Sequence, residues 1–388
     1  MADNGGSLLQ IWGGGKQKES GYNAHHDTGF MHVHNTLMRQ LTSPQTVNSA
    51  WQWLCHRRKH YPADADIWDF RWHKNTQLPL LIHQLRSGCY RFSPLQGVTK
   101  ANGEKIALWS SHDALVLKLL ALVLQPVLPC HKSCAHLQGH GGAKRVVQAT
   151  HDRITSKQFI FVVRTDIKGY YANINKHQCL EQLASVITCP IVLQLLSQYL
   201  FYCVEQGGTF HTPNKGISRG CALSPLIAGF QLYCIDRHFA QQKHLRYARY
   251  MDDFLILCKT RHHCRQAVLT LNQFFNHFGF RQHPDKTYIG RIEKGFDFLG
   301  YLFDSTGLTA VSPRSRDNFS NKRHQLYEQA RCASEPLAQT QQRVMVYTNR
   351  WCRWASSGLS DAVACRLRQA WNYARPWDDS MPLGMPTA

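Results

Sequence analysis

A chain of 388 residues can bury a large hydrophobic core, and this length predicts two or three subdomains. The 45 Lys and Arg against 25 Asp and Glu give a formal net charge of +20, which predicts nucleic acid as the partner. The 14 Cys contain no C-x-x-C pair, the N-terminus has neither the basic start nor the apolar core of a signal peptide, and the most apolar stretch, residues 114–128, is too short to span a membrane. Secreted disulfide-rich and membrane classes are therefore disfavoured, and we expect a cytoplasmic protein with reduced thiols.

The first third of the sequence changes character near residue 46. Residues 1–45 are rich in Gly and His and predict a loosely ordered, flexible extension. Residues 95–110 predict a hairpin that turns at Asn102 and Gly103. Lys100 and Lys105 flank this turn, where they either reach a phosphate or remain solvated hairpin charges.

Two segments in the middle of the chain place polar groups at the ends of apolar elements. Residues 158–167, QFIFVVRTDI, predict a buried strand that ends at Asp166, where an acid is better placed for chemistry than for packing. In residues 211–233 a Gly-bearing loop leads to Ser224, a predicted N-cap, with Pro225 at the first helical position of an apolar helix.

The segment RYARYMDDFLILC, residues 246–258, predicts two short strands joined by a turn over residues 250–253. The turn displays Asp252 and Asp253 side by side, and two such carboxylates repel unless a cation neutralises them. Carboxylate oxygens favour Mg²⁺ or Mn²⁺ among divalent ions. The alternative for this pair alone is a solvated acidic turn that binds nothing.

The last part of the sequence is basic and helical. A strand pair is predicted over residues 295–303, and from about residue 312 Arg and Lys alternate with Trp. This pattern is typical of a helical surface that holds a nucleic-acid duplex. We assign packing to the Trp residues and nucleic-acid contact to basic residues, represented by Arg314, Arg316, Lys322 and Arg323.

Five segments together resemble successive motifs of reverse transcriptases, in particular bacterial enzymes related to those of group II introns. In order they are DIKGYYANI (166–174), ISRGCALSPLIAG (217–229), RYARYMDDFLIL (246–257), HPDKT (283–287) and FDFLGY (296–301). The resemblance covers residues 85–303 well, and it implies an α+β, right-hand polymerase fold with fingers, an antiparallel palm sheet backed by helices, and a helical thumb.

The implied domains follow the order of the motifs. After the extension, residues 46–157 would form the fingers and residues 158–304 the palm, with 176–210 partly in the fingers. Residues 305–377 would form the basic thumb, and 378–388 a C-terminal tail.

The resemblance also implies roles for single residues. Asp166, Asp252, Asp253 and the carbonyl of Ile167 would hold two Mg²⁺ ions, with Mn²⁺ as a substitute, and Lys286 would donate a proton to the pyrophosphate. The residues implied to contact the incoming nucleotide are Tyr171, which would exclude a 2′-hydroxyl, Arg219, Gly220, Lys100 and Lys105. The family usually has Gln at position 219 and Arg at position 106, where this chain has Arg and Ile.

The expected activity is therefore RNA-directed DNA synthesis on an RNA template, from a DNA or RNA primer and dNTPs. Two alternatives stay open. One is an RNA-binding intron maturase, in which the basic thumb matters more than catalysis. The other is an antiphage-defence reverse transcriptase with non-standard templating. Neither the natural template nor the oligomeric state follows from the sequence.

Overall fold

The computed structural model describes residues 36–99, 103 and 105–357, with the side chain of Lys105 excepted. Helices and mostly antiparallel strands are mixed along the chain, which confirms the predicted α+β class. The helices are α1 (36–41), α2 (Pro44–Arg57), α3 (Asp66–Trp72), α4 (Lys74–Arg86), α5 (Ser111–Leu124), α6 (Gly142–Thr155), α7 (Tyr170–Asn173), α8 (Lys176–Ala184), α9 (Pro190–Leu200), α10 (Ser224–Gln231), α11 (Tyr233–Ala240), α12 (Arg261–Phe278), α13 (Pro313–Cys332) and α14 (Leu337–Ser356). The strands are β1 (Leu95–Thr99), β2 (Lys105–Leu108), β3 (Phe161–Asp166), β4 (Val204–Gln206), β5 (Thr209–His211), β6 (Leu245–Tyr250), β7 (Asp253–Cys258), β8 (Tyr288–Arg291), β9 (Phe296–Phe298), β10 (Tyr301–Asp304) and β11 (Gly307–Val311).

The central sheet has the strand order β6-β7-β3-β8, and each pair of adjacent strands in it is antiparallel. Side chains alternate along β7, so Phe254 and Ile256 enter one hydrophobic cluster and Leu255 and Leu257 enter another on the opposite face. Both faces of β7 are covered by apolar side chains, which explains its continuous apolar run.

Two smaller sheets flank the central one. The predicted hairpin of β1 and β2 pairs as expected, and β4 joins β1 in parallel, which extends the sheet to the order β2-β1-β4-β5. The third sheet has the order β11-β10-β9. The pairing of β11 with β10 moves one predicted boundary, because residues 307–311 continue this sheet and the helical region begins only at Pro313.

The predicted extension is wrong for its last ten residues. Residues 36–41 are helical, and Leu37 and Leu41 are buried in the main hydrophobic cluster. The following helix, α2, begins at Pro44 with Ser43 as its N-cap. Four-residue spacing of two Leu places both on one helix face, so burial of that face stabilises the segment despite its polar neighbours. Residues 1–35, and the predicted tail 378–388, lie outside the described residues.

No helix in the described ranges is long and apolar enough to span a membrane.

Candidate active site

The three predicted acids lie at the junction of β3 with the hairpin of β6 and β7. Asp166 ends β3, and Asp253 begins β7 directly opposite it in the antiparallel register. Residues opposite each other in this way have Cβ atoms about 4.5–5.5 Å apart. Asp252 occupies the turn, and its carbonyl accepts a hydrogen bond from the N–H of Ile167 at 3.2 Å. The structure thus brings acids that are far apart in sequence to one end of the sheet.

The carboxyl groups at this end of the sheet are partly buried and close together, which disfavours their ionised forms. Burial and the negative charge of Asp166 raise the pKa of Asp253 to about 7. The same two causes raise the pKa of Asp252 above its usual value. Lys286 offsets part of this repulsion, because its Nζ lies 2.9 Å from Oδ2 of Asp166. The described side chains therefore leave an excess of negative charge that a bound cation would relieve.

The donor set suits a hard divalent ion, since it consists of carboxylate oxygens with backbone carbonyls nearby. The side chains are not, however, gathered as a ready ligand cluster. Within the described ranges no three His, Cys, Asp or Glu side chains form a group that could hold a metal ion. The position of the backbone and the excess charge fit a divalent ion, whereas the coordination of Asp166, Ile167, Asp252 and Asp253 stays a prediction.

A buried arginine stabilises the acidic turn through a hydrogen bond to its backbone. Arg249 is fully buried, and its guanidinium forms a two-pronged pair with the carboxylate of Asp236 on α11. Its Nη1 also donates to the carbonyl of Met251 at 2.7 Å, and Met251 has the left-handed φ of +56° that this two-residue turn requires. The hydroxyl of Tyr247 donates to the same carboxylate at 2.6 Å. The buried ion pair therefore stabilises the shape of the turn as well as the core.

His136 supports the same turn from the other side. Its Nδ1 accepts a hydrogen bond from the N–H of Met251 at 3.1 Å, and its Nε2 donates to the carbonyl of Pro225 at 3.0 Å. Burial lowers the pKa of His136 to about 4, so the ring is neutral at physiological pH and can accept at one nitrogen and donate at the other. Through this ring the acidic turn is linked to the start of α10.

Sequence reasoning missed both Arg249 and His136. One signal was present for the arginine, because Arg249 directly precedes the turn within a strand whose other side chains are largely apolar or aromatic, an unusual position for a solvated charge. His136 offered none, since it is one of 22 His.

Two of the predicted nucleotide-contacting residues, Tyr171 and Arg219, lie beside the acids. The guanidinium of Arg219 is 5.7 Å from the ring centre of Tyr171, and burial together with the charge of Asp252 raises the pKa of Tyr171. The two segments that carry Tyr171 and Arg219 are joined by a hydrogen bond of 2.9 Å from the N–H of Ile217 to the carbonyl of Tyr171. Gly220 has φ of +82° with open space where a Cβ would be. Their contacts with a nucleotide stay predictions.

The start of α10 differs by one residue from the prediction. Ser224 is its first helical residue and Leu223 is the N-cap, so Pro225 is the second residue of the helix. Instead of capping, the hydroxyl of Ser224 donates to the carbonyl of Cys221 at 3.2 Å. Ser224 therefore stabilises the loop before the helix.

Arg164 lies on the same face of β3 as Asp166 and connects the site with two later segments. It donates to the carbonyl of Lys286 and forms an ion pair of 3.4 Å with Asp297. Its charge also opposes the rise in the pKa of Asp253. The strand, the lysine segment and β9 are therefore held together by one side chain that sequence reasoning did not single out.

The remaining predicted contacts are the two hairpin lysines and four thumb residues. Lys100 lies outside the described residues, and of Lys105 only the backbone is described, paired in β2. The four predicted thumb residues all lie on α13, where a turn takes 3.6 residues. By that spacing Arg316 and Arg323 share one face, and Arg314 and Lys322 lie on others, so a single straight duplex would not meet all four. The Trp prediction holds for Trp351, which stacks on Phe319 at 4.2 Å between ring centres.

Known proteins are similar to the part of the chain that contains the three acids. The family described as "Reverse transcriptase (RNA-dependent DNA polymerase)" matches residues 107–303, just over half of the chain. The "Putative COX1/OXI3 intron 1 protein" of Saccharomyces cerevisiae is 20% identical over 361 residues, which cover 76% of this chain and 42% of that protein. Among solved structures, a chain of a "Partial Cas6-RT-Cas1–Cas2 complex" is 24% identical with a TM-score of 0.38, over 62% of this chain and 41% of the other. The truncated apo telomerase of Candida tropicalis is 15% identical with a TM-score of 0.40, over 51% and 44%. The chain thus spans less than half the length of each of these proteins.

Proposed function

The chain belongs to the reverse transcriptase family, and from that premise we propose that it is an RNA-directed DNA polymerase. In this proposal it adds dNTPs to the 3′ end of a DNA or RNA primer on an RNA template. Nucleotidyl transfer of this kind uses two divalent ions, which activate the primer hydroxyl and neutralise charge on the triphosphate. We propose Mg²⁺, with Mn²⁺ as a substitute.

Each acid would have a distinct part in holding the ions. Asp166 and Asp252 would be the shared ligands, with the carbonyl of Ile167 beside them and Asp253 less direct. The raised pKa of Asp253 supports a part for this residue in holding the ions, because a carboxyl that is protonated near neutrality without a metal would ionise when a divalent ion binds. Affinity for the ions should therefore rise with pH.

The remaining residues would position the nucleotide. Tyr171 would lie under the sugar and exclude a 2′-hydroxyl, with Arg219 against its ring. The backbone at Gly220 would approach the nascent base pair, since its open side leaves room for it. Lys286 would leave Asp166 when a metal takes its place and donate a proton to the departing pyrophosphate.

The observation that carries this proposal is the direct pairing of Asp166 with Asp253, next to the turn that displays Asp252. The purified chain, given an RNA template, a DNA primer, dNTPs and Mg²⁺, should extend the primer. The double variant Asp252→Ala/Asp253→Ala should show no extension while it keeps its secondary structure. Extension at the unchanged rate by this variant would refute the proposal.

A second candidate is an RNA-binding helper of intron splicing, and the similarity to a protein named as an intron product favours it. In that case RNA binding and splicing by the double variant would equal those of the parent chain. No disulfide is formed among the cysteines in the described ranges, which supports our proposal of a reducing, cytoplasmic location.

A further inference from the structure

A cavity of about 760 Å³ lies between α6 and the outer part of the central sheet, and none of the three acids lines it. Its floor is apolar and includes Leu255 and Leu257 of β7 together with Val146 of α6, all of them buried. Leu255 lies on the same sheet face as Asp253, two residues further along the strand, which is about 7 Å. The cavity is thus a neighbour of the proposed active site and shares a sheet face with it.

Basic side chains surround this floor. Lys132, Arg145, Arg153 and Arg246 line the cavity, and its lining contains no Asp or Glu. All four are exposed, and in the described part of the chain none of them belongs to an ion pair. Four uncompensated cations around one concave surface attract an anion more strongly than scattered surface charges do, because their fields add.

The backbone is shaped to admit one of these arginines. Gly141 has φ of +93°, and a Cβ added there would lie 2.2 Å from Cδ of Arg145. The side chain of Arg145 therefore runs back over a position that only glycine leaves open. His140 is fixed beside it by a hydrogen bond of 2.9 Å from its Nδ1 to the carbonyl of Cys134.

We propose that this cavity binds a nucleoside phosphate, outside the proposed catalytic site. The apolar floor suits the flat face of a base, and the four cations suit one or more phosphate groups. A volume of about 760 Å³ is within the usual range for a site that encloses a small ligand. The nucleoside phosphate is either a free nucleotide or one nucleotide of a bound RNA strand, since both offer the same chemistry.

The test measures binding without catalysis, so that it does not depend on polymerase activity. The full chain is titrated in EDTA with labelled ATP by equilibrium dialysis and with a fluorescein-labelled RNA 12-mer by polarisation. Labelling with 8-azido-ATP, followed by peptide mapping, locates the site. The charge-reversal variant Arg145→Glu/Arg246→Glu is compared with Arg237→Glu/Arg265→Glu, which changes the net charge equally at exposed positions outside the cavity lining.

A second variant separates the cavity from surface charge alone. Ala149 is exposed on α6 and lines the cavity, so Ala149→Trp should fill it without a change in charge. We expect both cavity variants to weaken binding about tenfold or more and the control to change it by less than about twofold. Label should appear in peptides from residues 132–153 or 245–257.

The two ligands distinguish the sources. Binding of ATP with competition by RNA supports a free nucleotide that shares the cavity, and cavity-dependent binding of RNA alone supports a nucleotide of a strand. Binding of neither ligand, label confined to other peptides, or equal losses in the cavity and control variants would overturn the proposal.

Discussion

Replacing Asp253 by Asn should stabilise the metal-free protein at alkaline pH while it removes a proposed metal ligand. Burial and Asp166 raise the pKa of this carboxyl from 3.8 to about 7. A group whose pKa is higher in the folded state binds more protons there, so its ionisation destabilises the fold as pH rises from 3.8 towards 7. Asn is neutral and of similar shape, and it avoids this cost.

The size of the effect follows from the width of that pH window. Each pH unit between the unfolded and the folded pKa corresponds to about 1.4 kcal/mol, which gives about 4 kcal/mol above neutrality. Solvent at the half-buried carboxyl screens part of it, so we expect the variant to gain about 2 to 4 kcal/mol at pH 8 and roughly two fifths as much at pH 5. Below the unfolded pKa the gain should vanish.

Urea denaturation of the parent chain and Asp253→Asn, in EDTA at several pH values, measures the gain. Asp285→Asn is the matched control, because the Asp285 side chain is 88% exposed and its replacement should change little. Addition of Mg²⁺ at pH 8 should stabilise the parent chain more than Asp253→Asn. A variant that is no more stable than the parent at pH 8, or a gain that does not depend on pH, would refute the reasoning.

Three further changes test other parts of the site. Lys286→Met should slow primer extension about 10²-fold and move the acidic limb of its pH profile to higher pH. The limb should move because the lysine charge lowers the pKa of both acids of the turn, and an unmoved limb would contradict this. Arg249→Met should cost roughly 3–5 kcal/mol in urea denaturation by leaving Asp236 buried without its partner. The double variant Arg249→Met/Asp236→Leu should recover that stability but extend primers poorly, since the carbonyl of Met251 loses its donor, whereas full activity would show that the contact is dispensable. Tyr171→Ala should gain rNTP incorporation in extension assays, and an unchanged preference for dNTPs would argue against its contact with the sugar.

The elements that position the acids were predictable because the signals are local. The apolar run before Asp166 and the two short runs on either side of Asp252 determine three strands and a turn without any knowledge of the rest. The same local reasoning failed at α1, where Leu37 and Leu41 are buried by packing that their polar neighbours conceal. It also failed at β11, a five-residue strand next to a strongly basic region.

The support of the site was not predictable, because it depends on partners brought together by tertiary structure. The position of Arg249 in a largely apolar strand is unusual, but nothing in the sequence identifies Asp236 as its buried partner until strand and helix are in place. His136 meets the N–H of Met251 from 115 residues away in the sequence. The basic cavity arises only when α6 covers the sheet.

Primer extension by Asp166→Asn tests the central claim most directly, since Asp166 is the acid that the fold must bring from a distant part of the chain. With an RNA template, a DNA primer, dNTPs and Mg²⁺, extension should fall by about 10³-fold or more while the circular dichroism spectrum stays that of the parent chain. Extension within about tenfold of the parent rate would contradict the account, because a polymerase built on these three carboxylates cannot tolerate the loss of this one.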